Sequence, residues 1–341
     1  MDPLTRSSPR SDAELLAATR VFASERRAQS WWALWSTLAI LAGALTLAAL
    51  ASWWPLRAAA SVFGALVLVR CFILYHDFMH LAILRRSRVA SAVMYLFGLF
   101  FLTPPRSWRE SHNFHHANVG KLAATGIGSF PLMTTAEWRQ ASSWRRFRYR
   151  VIRHPLTILS AYLTVFAITI TLQPLVRNPR RHWDSALAIL FHGGLVAGLW
   201  IVGGPDVVLF ALIIPFALAT ALGAYLFYAQ HDFPGMRIVP LAAWSRVRAS
   251  LESCSYLQVG PAMRWFTGNI GYHHVHHLNA AIPFYRLPDA FDAIPELERP
   301  ADTSLWPRDV IACLRLGLWD EETGRMVSTA PAEVAGRARL A

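Results

Sequence analysis

Three short histidine-rich motifs carry the chemistry that this sequence can do. The first, His76-Asp77-Phe78-Met79-His80, spaces two imidazoles four residues apart, which on a helix puts both on one face. The second, His112-Asn113-Phe114-His115-His116, turns His112, His115 and His116 to one side and Asn113 and Phe114 away. The third, His273-His274-Val275-His276-His277, repeats that spacing with an additional histidine at its second position. One such pair alone is weak evidence, but three in one chain point to metal binding. Neutral imidazoles suit iron, zinc, copper or nickel rather than magnesium or calcium. His76, His80, His112, His115, His116, His273, His276 and His277 are too many for one tetrahedral or octahedral ion, so two metal ions are expected. His231, in Gln230-His231-Asp232 at the end of a long apolar run, is the candidate ninth ligand, with a plain interfacial histidine as the alternative. The three cysteines, Cys71, Cys254 and Cys313, form no C-x-x-C, which argues against a zinc finger or a disulfide framework.

The elements that must hold these motifs are apolar. Of 341 residues, 54% are hydrophobic and 16% charged, against about a quarter charged in a soluble domain, so much of the surface does not face water. The 14 Trp, 9 Tyr and 19 Phe exclude disorder. The net charge of +12 sits between apolar runs, which argues against a nucleic-acid partner. A bilayer needs about 20 apolar residues per helix, and four segments qualify: about 31–54, 58–75, 185–203 and 207–230. Trp31, Trp32 and Trp35 at one end of the first, with Trp53 and Trp54 at the other, resemble interfacial aromatic belts. That segment starts too late and runs too long for a cleaved signal peptide. Short links at 55–57 and 203–206 pair the four into two hairpins.

Two weaker runs, Val89 to Thr103 and Leu156 to Val176, lie between the hairpins. The first is short for a span. The second has Arg145, Arg146, Arg148, Arg150 and Arg153 before it and Arg177, Arg180 and Arg181 after it. Because cytoplasmic loops collect Arg and Lys, both its ends are expected on the cytoplasmic side, as an interfacial or re-entrant segment. The expected fold is therefore all-α and integral to the membrane: four transmembrane helices in two hairpins, interfacial helices and a cytoplasmic histidine-rich cap. Both termini lie in the cytoplasm, and four crossings leave every motif on one face. Residues 1–27 form a cytoplasmic N-terminal segment with a short helix capped by Ser11 and Glu14, 28–290 the membrane domain, and 291–341 a cytoplasmic tail that frays from about Asp320. One Lys against 32 Arg suggests a GC-rich bacterial genome, hence a bacterial inner membrane.

The segments HDFMH, SHNFHH and TGNIGYHHVHH, with QHD after a long span, resemble the membrane fatty acid desaturases over about residues 55–290. Trp265 to Tyr272 before the third motif, and Leu278 to Leu287 after it, resemble the acyl-lipid omega-6 (delta-12) group. The resemblance implies a di-iron centre (two non-haem Fe) held by the histidines on the cytoplasmic face. It also implies O2-dependent insertion of a cis double bond into a lipid-linked acyl chain. His274 falls where this family usually has no ligand, and Met79 where it often has Gly. Asp77, Asp232 and Glu110 are candidates to accept from ring N–H groups, or else surface charges. Asn269 bonds near the site or ends a turn, and the stretches 95–101 and 224–228 are candidate tunnel walls or plain packing. The chain has no CxxCH haem attachment, no iron–sulfur cysteine set and no His-Pro-Gly-Gly of a fused cytochrome b5. A separate electron donor, of ferredoxin or cytochrome b5 type, is expected. The arginines at 85–88, 145–153 and 177–181 would steer it or touch anionic headgroups. His154, His182 and His192 read as bystanders, and Arg70, about 9 Å along a helix from His76, is expected to snorkel to the interface. Rival readings are a di-iron lipid hydroxylase or a carotenoid hydroxylase or ketolase, and, from another class, a membrane metal transporter with ligands along a path through the bilayer.

Overall fold

The computed structural model describes residues 10–298 and 300–329. Ser11 caps α1 (Asp12–Thr19) in a reciprocal box with Glu14, as its spacing predicts. The first two apolar runs become α2 (Arg27–Leu50) and α3 (Trp54–Met79), which pack together across a three-residue link. Pro55 sits in the first turn of α3, where a missing N–H costs nothing. Helix α3 continues past its apolar part to Met79, so the first histidine motif is an extension of a membrane helix.

Helix α4 (Arg88–Phe100) ends at Leu102, whose φ of 54° breaks the helix, and α5 (Pro105–Asn118) leaves at 90° to it. The Tyr75 hydroxyl donates to the Thr103 carbonyl at 2.7 Å and pins that corner to α3. After α6 (Thr135–Gln140), α7 (Ser143–Arg153) and α8 (Pro155–Leu159), the run from Leu156 to Val176 continues as a wide π-helical turn, Tyr162–Leu172, and α9 (Gln173–Arg177). Threonine hydroxyls satisfy carbonyls five residues back along it: Thr169 on Thr164 and Thr171 on Phe166, both at 2.8 Å.

Helix α10 (Trp183–Val208) is interrupted at Gly204, with φ 71° and ψ −171°, and passes through Leu209–Ile213 into α11 (Ile214–Ala229). Only glycine adopts that conformation readily. His192 and Phe216, equally far from Gly204 in sequence, bring their rings to 5.2 Å, so the two legs fold back on each other as the Gly203-Gly204-Pro205-Asp206 signal predicts. Among the described residues, three helical stretches are long and apolar enough to cross a membrane: Arg27–Leu50, Trp54–Met79 and the folded Trp183–Ala229. The chain is a mainly helical membrane protein. Its core centres on α3, with α2 and α11 packed against it and Phe101, Phe166 and Phe216 filling the space beside α4.

Shorter elements close the histidine-bearing end: α12 (Arg246–Glu252), α13 (Pro261–Phe266), α14 (His273–Leu278), α15 (Leu287–Ala293) and α16 (Pro307–Arg315). Two small sheets join them. Strand β1 (Met133–Thr134) runs parallel to β4 (Leu318–Asp320), which turns at Gly324 into antiparallel β5 (Arg325–Val327); β2 (Tyr256–Gln258) is parallel to β3 (Asp302–Ser304).

Two expectations are corrected here. The chain does not fray from Asp320: it pairs as a hairpin, because Leu318 is buried against Trp138 and Tyr149. Residues 1–9 of the expected N-terminal segment and 330–341 of the expected tail lie outside the described residues. Arg70 does not snorkel to an interface. Its guanidinium is buried, donates to Thr37 Oγ1 at 3.1 Å and to the Trp265 carbonyl, and lies 4.2 Å from the Trp265 ring centroid. A carbonyl and a π face in reach make the longer path unnecessary.

Candidate metal centre

Four separate pieces of chain bring nine imidazoles together: the end of α3, the C-terminal half of α5, the turn after α11, and α14. They fall into two groups. His76, His80, His112, His116 and His276 form one, and His115, His231, His273 and His277 the other; within each group one ring nitrogen per residue lies within 4.8 Å of the rest. All nine residues of the expected set are in these groups, and His274 is in neither. Its Nε2 faces the Leu297 carbonyl at 3.2 Å, inside the core.

The two HxxHH motifs divide their histidines reciprocally. In α5 the i and i+4 residues, His112 and His116, face the first group while His115 faces the second. In α14 the i and i+4 residues, His273 and His277, belong to the second group and His276 to the first. Each helix therefore serves both groups.

The donor atoms face one another. In the first group Nε2 of His112 lies 2.9 Å from that of His80 and 3.1 Å from that of His116, which is 3.1 Å from that of His276. In the second, Nε2 of His231 lies 3.0 Å from that of His115 and 2.8 Å from that of His273, which is 3.0 Å from that of His277. A neutral imidazole has one N–H and one lone pair. His231 directs Nδ1 at the Ser253 carbonyl, 3.3 Å away, which holds the N–H there and leaves the Nε2 lone pair free. Where two such lone pairs face each other in a dry interior they repel unless a proton or a metal cation lies between them. Two nitrogens at right angles on a metal about 2.1 Å away would sit about 3.0 Å apart, which is the spacing found. The donor set fits a metal site.

Electrostatics agree. Burial, reinforced by neighbouring imidazoles, holds His112, His115, His116, His273, His276 and His277 well below the ordinary histidine range. Burial lowers His231 to about 4, against the pull of the Ser253 carbonyl. All seven are neutral at pH 7, the form that binds metals.

Packing fixes the rings. Trp108 stacks on His112 with centroids 4.4 Å apart, and Phe227 lies 5.0 Å from His115 and 5.2 Å from His231. Neither aromatic stands out in the sequence, although each precedes a histidine by four residues, which puts Trp108 on the helical face of His112. Of the candidate acceptors, Asp77 takes that role: its Oδ1 lies 3.1 Å from His76 Nδ1, and its Oδ2 accepts from the Phe284 amide at 2.6 Å. Asn269 does both things proposed for it. At φ 55° it makes a turn, and its Nδ2 donates to the Phe284 carbonyl at 3.1 Å.

Asp232 and Glu110 do not act on the imidazoles in the two groups. Asp232 pairs with Arg153 at 2.7 Å, and Glu110 with Arg181, while also 3.6 Å from His182. Guanidiniums outcompete neutral rings for a carboxylate. Burial alone would loosen the Arg153 proton, but Asp232, Tyr228 and Tyr149 reverse that and hold the guanidinium above its ordinary value. His192 bonds to Tyr162 and to the Phe100 carbonyl, and His154 accepts from the Leu156 amide. Of the expected tunnel walls, Tyr95 borders a cavity, whereas Phe97, Phe100 and Phe101 pack in the aromatic core. In the other stretch Tyr228 holds Arg153.

Fold and site together define a helical membrane protein built around clustered imidazoles of a metal-site type. A family model described as fatty acid desaturase matches residues 51–308. A fatty acid desaturase of Bacillus subtilis is 30% identical over 80% of this chain and 77% of its own length. An sn-1 oleoyl-lipid 12-desaturase of Synechocystis sp. is 22% identical over 67% of this chain and 65% of its own. An acyl-lipid omega-3 desaturase (cytochrome b5) of Arabidopsis thaliana is 27% identical over 75% and 68%. The chain belongs to the fatty acid desaturase family: it is a lipid-metabolising oxidoreductase that desaturates acyl chains.

Proposed function

We propose that the chain inserts a cis double bond, of delta-12 (omega-6) type, into a lipid-linked fatty acyl chain, with O2 as co-substrate and two irons as cofactor. His76, His80, His112, His116 and His276 would hold one iron, and His115, His231, His273 and His277 the other. The observation that carries this reading is the convergence of nine imidazoles into two groups spaced as metal ligands. The delta-12 assignment draws on the printed names of the Synechocystis relative and of a Picosynechococcus relative, 22% identical over 79% of this chain.

When bound, the irons supply the oxidant that an unactivated methylene requires and side chains lack. The protein's part is to hold and orient. Asp77 fixes the His76 tautomer, Ser253 that of His231, and Trp108 and Phe227 limit ring rotation. Burial of the donor nitrogens keeps water from competing for the site.

In the membrane, the chain crosses four times: α2, α3, and the two legs on either side of Gly204. Residues 28–290 are the desaturase domain, with 1–27 and 291–341 flanking it in the cytoplasm. The bilayer is the bacterial inner membrane, with the imidazoles on its cytoplasmic face. Support comes from the imidazoles' location at the ends of α3 and α11, away from both hairpin links, and from the arginines that flank 155–177. Electrons come from a separate ferredoxin or cytochrome b5. The name of the Arabidopsis relative includes the latter.

Expression in a host lacking dienoic fatty acids, followed by gas chromatography with double-bond localisation, tests the reading. New dienoic acids and two irons per chain are expected. Hydroxy acids or oxidised carotenoids with unchanged unsaturation would overturn it in favour of a hydroxylase or ketolase. Zinc alone, with lipid products unaffected by His112→Ala or His276→Ala, would favour a transporter.

A further inference from the structure

A cavity of about 620 Å³ lies between the end of α3, the chain after it, α4 and the start of α5. Its apolar lining comes from Tyr75, Phe78 and Met79 of α3 and Met94 of α4. Four arginines, Arg86, Arg106, Arg109 and Arg181, also line it, against one carboxylate, that of Glu110, which is already paired with Arg181. The other three arginines have no carboxylate partner for their guanidiniums among the described residues: Arg106 lies over the Trp183 ring at 5.2 Å, and Arg109 Nη2 is 3.5 Å from Met79 Sδ. The Tyr95 hydroxyl, also in the lining, is buried without a hydrogen-bond partner.

Cations gathered in a concave, partly apolar site repel one another and create a field that an anion relieves. Arginine suits a phosphodiester in particular, because its fork donates two parallel hydrogen bonds to two oxygens. A lining that mixes apolar side chains with arginines matches an amphiphile with an anionic head. The surroundings indicate how it arrives. Leu81 of the lining is 54% exposed, and α4, which also contributes to the lining, exposes Val89 and Leu96, apolar surface suited to acyl chains rather than water. Chain neighbours of the first imidazole group, Met79 beside His80 and Asn113 beside His112, line the cavity, although no histidine does.

The geometry points to this cavity as the binding site for the phosphodiester headgroup of an anionic phospholipid, held by Arg86, Arg106 and Arg109. It rests on the reading above that the substrate is lipid-linked and narrows it: the acyl chain is presented while still esterified to a glycerophospholipid. Binding of dioleoyl phosphatidylglycerol, dioleoylglycerol and oleoyl-CoA to the full-length protein in detergent, counted by native mass spectrometry, tests it. Phosphatidylglycerol is expected to bind about tenfold more tightly than dioleoylglycerol, as one or two charge-assisted contacts provide. Arg86→Gln with Arg106→Gln should remove most of that difference, with unchanged metal content and dioleoylglycerol binding. The double Lys variant should keep much of it. Arg86→Gln alone, at an exposed residue, provides the same comparison should the double variant fold poorly. Equal binding of the charged and neutral lipids, indifference to these substitutions, or preference for oleoyl-CoA would overturn the proposal. Selective phosphatidylglycerol binding without any double bond formed would instead overturn the proposed reaction and leave this site standing. Desaturation with equal KM for both lipids would do the reverse.

Discussion

The two imidazole groups are built to different tolerances. The first has five members, two of them on the last turn and cap of a 26-residue helix whose second half is almost entirely buried. The second has four, and His231 stands beyond the end of α11, in a turn. Its position depends on what holds that turn. Asp232 is tied to Arg153, and Arg153 also donates to the Tyr228 hydroxyl at 2.7 Å, the Pro131 carbonyl at 2.8 Å and the Leu316 carbonyl at 3.2 Å. The first group is thus placed by secondary structure, and the second by a buried ion pair reaching three distant segments. Redundancy and rigid backing belong to one; the other has no spare donor.

That contrast can be broken by substitution. The largest effect is expected from His277→Ala, which leaves three donors in the second group: one metal per chain and no detectable lipid product. His80→Ala, which leaves four in the first group, should retain two metals at saturating iron; metal analysis with product profiling separates the two. Equal losses would erase the asymmetry. Next, Arg153→Met leaves Asp232 buried and unpaired, which costs about 3–5 kcal/mol. Thermal unfolding should show the loss, and metal content should fall in the second group first. Asp77→Asn follows, with metal affinity at the first group weaker by about 10–100-fold, as loss of an orienting carboxylate does elsewhere. Competition with a chelator measures it, and the second group should hold its metal. Smallest is the paired change Trp108→Leu and Phe227→Leu, each removing a ring contact worth about 0.5–1.5 kcal/mol. If the second group is the less firmly backed, Phe227→Leu lowers activity more.

What the sequence reveals here follows from how local each signal is. The histidine motifs, the Ser11–Glu14 cap and the Gly204 bend are written within four or five residues, and helical or turn geometry makes them legible. Even the apportioning of His115 and His276 follows in principle from the i+3 offset within HxxHH, which rotates one ring away from the i, i+4 pair. Partners that meet only in the folded chain are not legible: Asp232 with Arg153 is 79 residues apart, and Arg70 with Trp265 is 195. Nothing in either segment announces its mate. The short strands after Gly317 fail for a different reason, since three residues are too few for alternation to register, and tertiary burial of Leu318 decides them.

The reciprocal division of α5 and α14 has a thermodynamic consequence. A cation captured by His112, His116 and His276 fixes the two helices that also carry His115, His273 and His277, so the ordering cost of the second site is largely met by filling the first. By linkage the reverse holds as well. The two sites should therefore titrate with positive cooperativity, singly loaded wild-type protein being less abundant than independent sites would give, and losing either ion weakens the grip on the other without abolishing it.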